Sequence, residues 1–332
     1  MVSGFMKACF EGGNQVIMSQ QSSSNRGAFN AVVTSNRQIG QRLYRLRLEF
    51  SGAGTESFSK LKPGQFAQLD VSGMALPPME KIPEDLRDAC SRKILLRRPF
   101  SFTDVETQGN KTFVDLLYRV VGPASARMTT LSAGNTLGII GPLGNGFWVP
   151  QGKKKALLTM GGMGAPPLLH LAKVLSVSYP DIEFTAFAGA KTVRELPFEG
   201  RLDEISQELG FALREFAKYG AKSQMATDDG TAGFHGPVTE CLSQWLTTST
   251  WARDTTIIYS CGPEAMLAKV ADIARDKEID CQVSMEQMMA CGIGVCQSCA
   301  VQCRVSGSTE TVYKLCCEDG PVFDSREVVF SS

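Results

Sequence analysis

Three cysteines near the C-terminus, Cys291, Cys296 and Cys299, stand in the spacing Cys-x4-Cys-x2-Cys, and Cys303, Cys316 and Cys317 follow. Plant-type [2Fe–2S] clusters take three of their four ligands from this spacing, and the fourth from a later cysteine. The chemistry accounts for the pattern, because each of the two irons needs two thiolates to complete its tetrahedron. Three ligands on one loop wrap the cluster closely, and Gly292 and Gly294 between them let backbone N–H groups approach the sulfurs. Zinc is the competing reading, but zinc sites prefer paired Cys-x2–4-Cys knuckles and only one such pair is present. A set of inert structural thiols is the plainer alternative, and the density of the cluster argues against it. Spacing alone leaves Cys303, Cys316 and Cys317 all open as the fourth ligand.

The 332 residues suggest about two domains. Lys plus Arg and Asp plus Glu both number 34, so the formal charge is zero. That balance argues against nucleic-acid binding through phosphates and against a polybasic membrane anchor. No apolar run is long enough to span a bilayer, and no signal-peptide pattern opens the chain. A reducing cytoplasm is therefore expected, where clustered cysteines mean metal or redox chemistry rather than disulfides.

Residues 1–28 read as a disordered tail, because Ser19–Gly27 is polar and of low complexity. From Ala28 the chain changes to short alternating runs such as Phe29–Thr34, Leu43–Phe50, Phe66–Val71, Phe113–Val121 and Thr136–Ile140. Such runs with Gly and Pro punctuation predict a closed antiparallel β-barrel over 29–152, interrupted by a Pro-rich, charged, exposed loop with a helical turn over 73–93. Beyond Lys153–Lys155 the rhythm becomes strand–helix, which predicts an α/β nucleotide-binding domain with a parallel sheet over 153–278. Strands are expected at Ala156–Met160, Phe184–Ala188 and Thr256–Ser260, and helices at Pro166–Ser178, Leu202–Tyr219 and Glu264–Lys277. Residues 279–332 then form a small cluster domain, so the fold class is α+β and multidomain.

Further motifs add chemistry. Arg98-Pro99-Phe100-Ser101 offers a fixed cation and a hydroxyl suited to a flavin and its phosphates. Gly161-Gly162-Met163-Gly164 follows a strand and opens a helix, a natural seat for a pyrophosphate. It departs from the standard fingerprint, since Pro167 stands where a third Gly is usual. Cys261-Gly262-Pro263 occupies a second strand end before a helix. The plain alternatives are packing for Phe100, for the Gly-rich turn and for a buried Cys261. His170 falls mid-helix and reads as structural. Asp228 reads as a solvated turn residue that could reach a ribose, and Lys191 and Arg194 leave NADH versus NADPH open.

Met285–Cys296 and Tyr313–Phe323 resemble the electron-transfer subunit family of class 1B (NAD-dependent) dihydroorotate dehydrogenase. Leu117-Tyr118-Arg119 and Gly141–Phe147 are similar to the wider ferredoxin-reductase-like superfamily. The resemblance implies that Cys317 is the fourth iron ligand beside Cys291, Cys296 and Cys299. It implies FAD held by Arg98, Pro99, Phe100, Ser101, Leu117, Tyr118 and Arg119 and by the turn with Ala124 and Ser125. The family usually has Gly-Thr at that turn. It further implies NAD held by Gly161, Gly162, Gly164, Cys261, Gly262 and Pro263, with Cys261 positioned beside the nicotinamide. The implied partner is an FMN-containing dihydroorotate dehydrogenase catalytic subunit, two copies of each forming a heterotetramer. Electrons would pass from dihydroorotate through FMN, cluster and FAD to NAD in de novo pyrimidine (UMP) biosynthesis.

These modules make one path, because a flavin can take a hydride's two electrons together and exchange them singly with a cluster. No catalytic acid, base or nucleophile is then needed, and the two histidines of the chain cease to be a puzzle. Two rivals are a self-standing FAD/[2Fe–2S] NAD(P)H:acceptor reductase and a non-enzymatic redox sensor.

Overall fold

The computed structural model describes residues 26–198 and 213–331. The tail expected over 1–28 lies outside the described residues except for its end, where Gly27 and Ala28 already belong to a strand. The helix expected over 202–219 also lies largely outside them.

Seven antiparallel strands build the first unit: β1 (Gly27–Gly40), β2 (Leu43–Ser51), β3 (Phe66–Leu69), β4 (Arg98–Ser101), β5 (Asp104–Gln108), β6 (Lys111–Arg119) and β7 (Thr136–Leu143). Alternation sets their faces. On β2, Leu46, Leu48 and Phe50 are buried while Arg45, Arg47 and Glu49 between them are partly exposed. Short helices α1 (Ala53–Phe58), α2 (Arg87–Cys90) and α3 (Pro123–Met128) close the ends. Phe50 and Phe58 stack at 3.9 Å in this core, a geometry worth about 0.5–1.5 kcal/mol beyond the area it buries.

The expected closed barrel is instead an open, curled sheet in the order β4-β3-β7-β1-β2-β6-β5. Its edges, β4 and β5, follow each other in sequence with only Phe102 and Thr103 between, and Thr103 N donates to Asp115 O at 2.8 Å. The chain thus crosses from one edge to the other without pairing them. Pro99, which lacks an N–H, is tolerated because β4 is such an edge.

The second unit holds six parallel strands: β8 (Lys155–Gly161), β9 (Glu183–Ala190), β10 (Lys222–Thr227), β11 (Phe234–His235), β12 (Thr256–Cys261) and β13 (Asp280–Ser284). Helices α4 (Ala165–Ser178), α5 (Arg214–Ala217), α6 (Val238–Thr248) and α7 (Glu264–Asp276) accompany them. With both faces covered, every residue of β12 is buried, so the strand reads as an unbroken run rather than an alternation.

The chain then leaves for a hairpin of β14 (Ala300–Arg304) and β15 (Thr311–Leu315), and returns as β16 (Val322–Asp324) antiparallel to β13. The sheet order is β11-β10-β9-β8-β12-β13-β16, so the sheet is mixed rather than purely parallel. Strands β13 and β16 both come from the stretch read in the sequence as a separate cluster domain. Cys299, Val301, Cys303, Cys316 and Phe323 share one core with Leu157, Ile258, Leu242 and Val283 of the nucleotide-type unit. Asn145 ties the C-terminal segment to the first unit: its Nδ2 donates to Asp319 O and Val322 O, both at 2.8 Å, and its Oδ1 accepts from Val322 N at 2.9 Å.

His170 of α4 is 1% exposed, and burial lowers its pKa from the usual 6.5 to about 4, with Lys173 adding to the shift and Asp104 opposing it. The unfolded chain therefore binds one proton more than the folded one between those values, and stability falls as pH drops below about 6.5. The expected loss from this group is about 2 kcal/mol by pH 5. Urea titrations at pH 7.5 and 5 will show a smaller difference for His170→Phe than for the parent.

Candidate functional site

A cavity of about 310 Å³ opens where the curled sheet meets the mixed sheet. Its lining brings together Pro99, Phe100 and Ser101 of β4, Leu117, Tyr118 and Arg119 of β6, and Cys261 at the end of β12. Strand β6 can serve both units because it is buried on both faces. Leu116 and Tyr118 point into the first core while Leu117 packs into the second. Tyr118 is fixed from three directions. Its hydroxyl donates to Asn36 Oδ1 at 3.0 Å, its ring stacks on Tyr44 at 5.3 Å, and Phe100 meets it edge-on at 6.4 Å. Asn36 Nδ2 in turn donates to Met128 O at 2.8 Å, which ties Tyr118 to the end of α3.

Other sequence-predicted residues sit around this cavity rather than in it. The Arg98 guanidinium folds back onto the carbonyls of Leu96 and Arg97, at 2.9 and 3.1 Å. Ala124 and Ser125 lie in the first turn of α3 with helical geometry, so the turn does not require the glycine that Ala124 replaces. The Ser125 hydroxyl is engaged locally, accepting from Val121 N at 3.0 Å and Gly122 N at 3.2 Å.

Beside the cavity, a groove of about 810 Å³ contains Gly161, Gly162 and Pro263 together with Lys191, Asp228 and Thr239. It lies where the strand order reverses: β9 and β10 extend one way from β8, and β12 and β13 the other. Open α/β sheets bind ligands at this switch point. Glycine is needed here for contact. A Cβ on Gly164 would sit 2.0 Å from Cys261 O, and one on Gly262 would sit 2.9 Å from Gly161 N. The two strand-end loops therefore touch through backbone. Pro166 and Pro167 in the first turn of α4 have no N–H, which leaves the donors of this turn to the residues before them. Cys261 faces the cavity and Pro263 the groove, so the two spaces adjoin at one loop. Burial pushes the Cys261 thiol well above its usual pKa, and Ser284 of β13 stands opposite it.

The cysteine loop begins where the cavity lining ends. Met285, Glu286, Gln287 and Met289 line the cavity, and Cys291 follows two residues later, at most about 7 Å of chain. The thiols are neighbours: Cys296 feels Cys291, and Cys317 feels both Cys299 and Cys291. Backbone N–H groups of Ile293 and Cys296 point at Cys291 Sγ at 3.4 and 3.3 Å, and that of Gly294 points at Cys317 Sγ at 3.2 Å. N–H donors aimed at sulfur suit thiolates. Among the described residues no three His, Cys, Asp or Glu side chains are grouped to hold a single metal ion. Cys316 points elsewhere, its Sγ donating to Met285 O at 3.3 Å, and Cys303 is wholly buried on β14. Hydrogen bonds from Ser298 and from backbone N–H groups lower the exposed Cys296 thiol to about 6, close to the thiolate that iron requires.

Sequence reasoning placed neither Phe66, Met163 nor Met285–Gln287 in the cavity, although Met285–Gln287 lay in a quoted motif. It also passed over α6, whose Val238, Cys241, Leu242, Trp245 and Leu246 follow a helical stripe.

A curled antiparallel sheet joined to a nucleotide-type sheet, with a cysteine loop against the cavity between them, defines a protein with the fold of the ferredoxin reductases and a C-terminal cysteine module. The fold is similar to the NADH-dependent reduced ferredoxin–NADP oxidoreductase structure, with TM-score 0.65 and 22% identity over 90% of both chains. It is also similar to phthalate dioxygenase reductase, with TM-score 0.52 and 16% identity over 87% of this chain and 77% of that one. Residues 286–329 match the family described as the iron–sulfur cluster binding domain of dihydroorotate dehydrogenase B. Over 92% of its length the chain is 32% identical to the whole dihydroorotate dehydrogenase B (NAD(+)) electron transfer subunit of Caldanaerobacter subterraneus subsp. tengcongensis. Over 91% it is 34% identical to 99% of the Bacillus caldolyticus subunit of the same name. The chain belongs to the family of dihydroorotate dehydrogenase B (NAD(+)) electron transfer subunits.

Proposed function

We propose that this chain carries electrons between a dihydroorotate-oxidising catalytic partner and NAD. The observation that carries this reading is the continuity of the site, in which one cavity takes its lining from β4, β6, Cys261 and the segment running into Cys291. When bound, FAD and a [2Fe–2S] cluster supply the exchange between two-electron hydride transfer and one-electron transfer.

The chain's own residues hold and orient these groups. Pro99, Phe100, Ser101, Leu117, Tyr118 and Arg119 form the flavin seat, with Arg98, Ala124 and Ser125 at its margin. Tyr118, clamped by Asn36 and Tyr44, supplies a rigid aromatic wall. Gly161, Gly162, Gly164, Gly262 and Pro263 let a dinucleotide approach the backbone closely, and Cys261 holds the nicotinamide end against the flavin seat. Cys291, Cys296, Cys299 and Cys317 are the iron ligands, with the N–H groups of Ile293, Gly294 and Cys296 stabilising their charge.

The catalytic partner is an FMN-containing subunit, and two copies of each chain assemble as a heterotetramer. Met288 and Val295, which are 87% and 77% exposed beside the iron ligands, give that partner an apolar landing surface. No helix among the described residues is long and apolar enough to cross a membrane. A reducing cytoplasm suits four cysteines kept as iron ligands.

Co-expression with a dihydroorotate dehydrogenase catalytic subunit tests the reading. The expected complex contains FAD, FMN, two irons and two sulfides per pair of chains, and reduces NAD with dihydroorotate. A chain that ignores this partner but reduces a ferredoxin from NADH would be a self-standing reductase. A chain whose flavin absorbance NADH fails to bleach would be neither.

A further inference from the structure

Gln68 lies within β3, opposite Pro99 of β4 and Ile140 of β7. Its side chain is wholly buried, yet neither Nε2 nor Oε1 has a hydrogen-bond partner among the described residues. Its neighbours on the strand, Phe66, Ala67 and Leu69, are buried and apolar, so packing alone would place an apolar residue here. Buried side-chain amides in native proteins are normally satisfied, and an orphaned one calls for a missing partner.

The position of the amide identifies that partner. A Cβ on Gly292 would lie 2.3 Å from Gln68 Nε2, 2.7 Å from Cγ and 2.8 Å from Cδ, so the side chain is packed directly against Gly292. Gly292 follows Cys291 in the iron-binding loop and has a φ of 70°, a conformation that turns the loop at this residue. Phe66 and Phe100 line the flavin cavity, whereas Gln68 is not among the described residues that do. The amide thus faces the cysteine loop and not the flavin seat.

We propose that Gln68 is a positioning residue for the iron–sulfur cluster, its Nε2–H donating to a cluster sulfur beside Cys291. The proposal rests on the [2Fe–2S] reading of the four cysteines. An N–H donor to sulfur stabilises the extra negative charge of the reduced cluster more than the oxidised one, and so raises its reduction potential. A neutral carboxamide does this from inside the protein without the burial cost of a cation. Gln68 also fixes the distance of the loop from the strand that neighbours the flavin seat.

Gln68→Met keeps the volume and removes the donor. Redox titration and electron paramagnetic resonance of the reduced cluster, on the full chain in complex with its partner, give the readout. The variant is expected to keep two irons and two sulfides per chain, to show altered g-values, and to have a lower cluster potential. Its flavin spectrum should be unchanged, and Gln68→Asn should recover part of the shift. An intact cluster with unmoved potential and g-values overturns the proposal, as does a change confined to the flavin. A parent protein lacking iron and sulfide overturns the cluster reading as well, which separates the two failures. Should Gln68→Met not fold, parent protein carrying side-chain 15N-glutamine provides the alternative. Pulsed measurements must then detect an amide nitrogen coupled to the cluster, retained in Gln287→Met and Gln297→Met, and its absence overturns the proposal.

Discussion

Cys317→Ser, purified without oxygen, is expected to lose the iron and sulfide that Cys316→Ser and Cys303→Ser retain. The three side chains stand close in sequence but not in role. Cys317 Sγ faces Cys299 and accepts from Gly294 N at 3.2 Å, whereas Cys316 is turned to Met285 O and Cys303 is buried on β14. Loss of one ligand from a four-thiolate site removes binding energy that also orders the loop. Electron delivery from the partner should fall by about a hundredfold or more, as even outer partners of metal ligands are worth 10–100-fold. NADH oxidation by a small dye that takes electrons from the flavin should persist. Iron and sulfide assays with absorbance spectra decide the matter. A normal cluster in Cys317→Ser together with a lost one in Cys316→Ser would reverse the assignment.

The second large effect is expected for Gly164→Ala. A methyl group there would meet Cys261 O at 2.0 Å, Cys261 C at 2.4 Å and Gly262 N at 2.7 Å. All three are backbone atoms, so no side-chain rotation relieves the overlap, and the loops ending β8 and β12 must part. Overpacking in a rigid site costs about 1–3 kcal/mol and sometimes more, and backbone against backbone belongs at the upper end. Thermal melts should show a drop of several degrees, and NADH affinity should fall with it if both loops form its proposed seat. Gly162→Ala is the contrast. A Cβ there meets nothing within 4 Å, although φ is 51°. Its expected cost is about 1–2 kcal/mol of backbone strain, with a raised KM for NADH as the main kinetic change. A Gly164→Ala protein that melts like the parent would remove the contact from the argument.

Much of this was legible in the sequence, for identifiable reasons. The cysteine spacing points to iron ligation, the run at Leu43–Phe50 largely follows the period of two that a half-buried strand imposes, and Phe113–Val121 is the longer apolar run of a strand buried on both faces. Arg98–Ser101, in the proposed flavin seat, reads as a motif at a strand start, but its extent as β4 does not, since four residues with a proline carry no periodic signal. Closure of the first sheet was misjudged because alternation reports which face is buried and not which edges pair. Strand β16 has three residues and a partner far back in the chain, so nothing local announces it. Gln68 was invisible for a related reason. A polar residue in an apolar strand is informative only once its neighbours in space are known.

The return of β16 to the edge of β13 also has a consequence for how the protein is made. An uncovered strand edge invites pairing with another chain. During synthesis β13 keeps such an edge until the polypeptide has run out through the cysteine loop and come back. The edge of β13 is therefore covered by the short strand β16 only after the proposed iron ligands have been laid down. Cofactor assembly and the end of the aggregation-prone interval are set by the same stretch of translation.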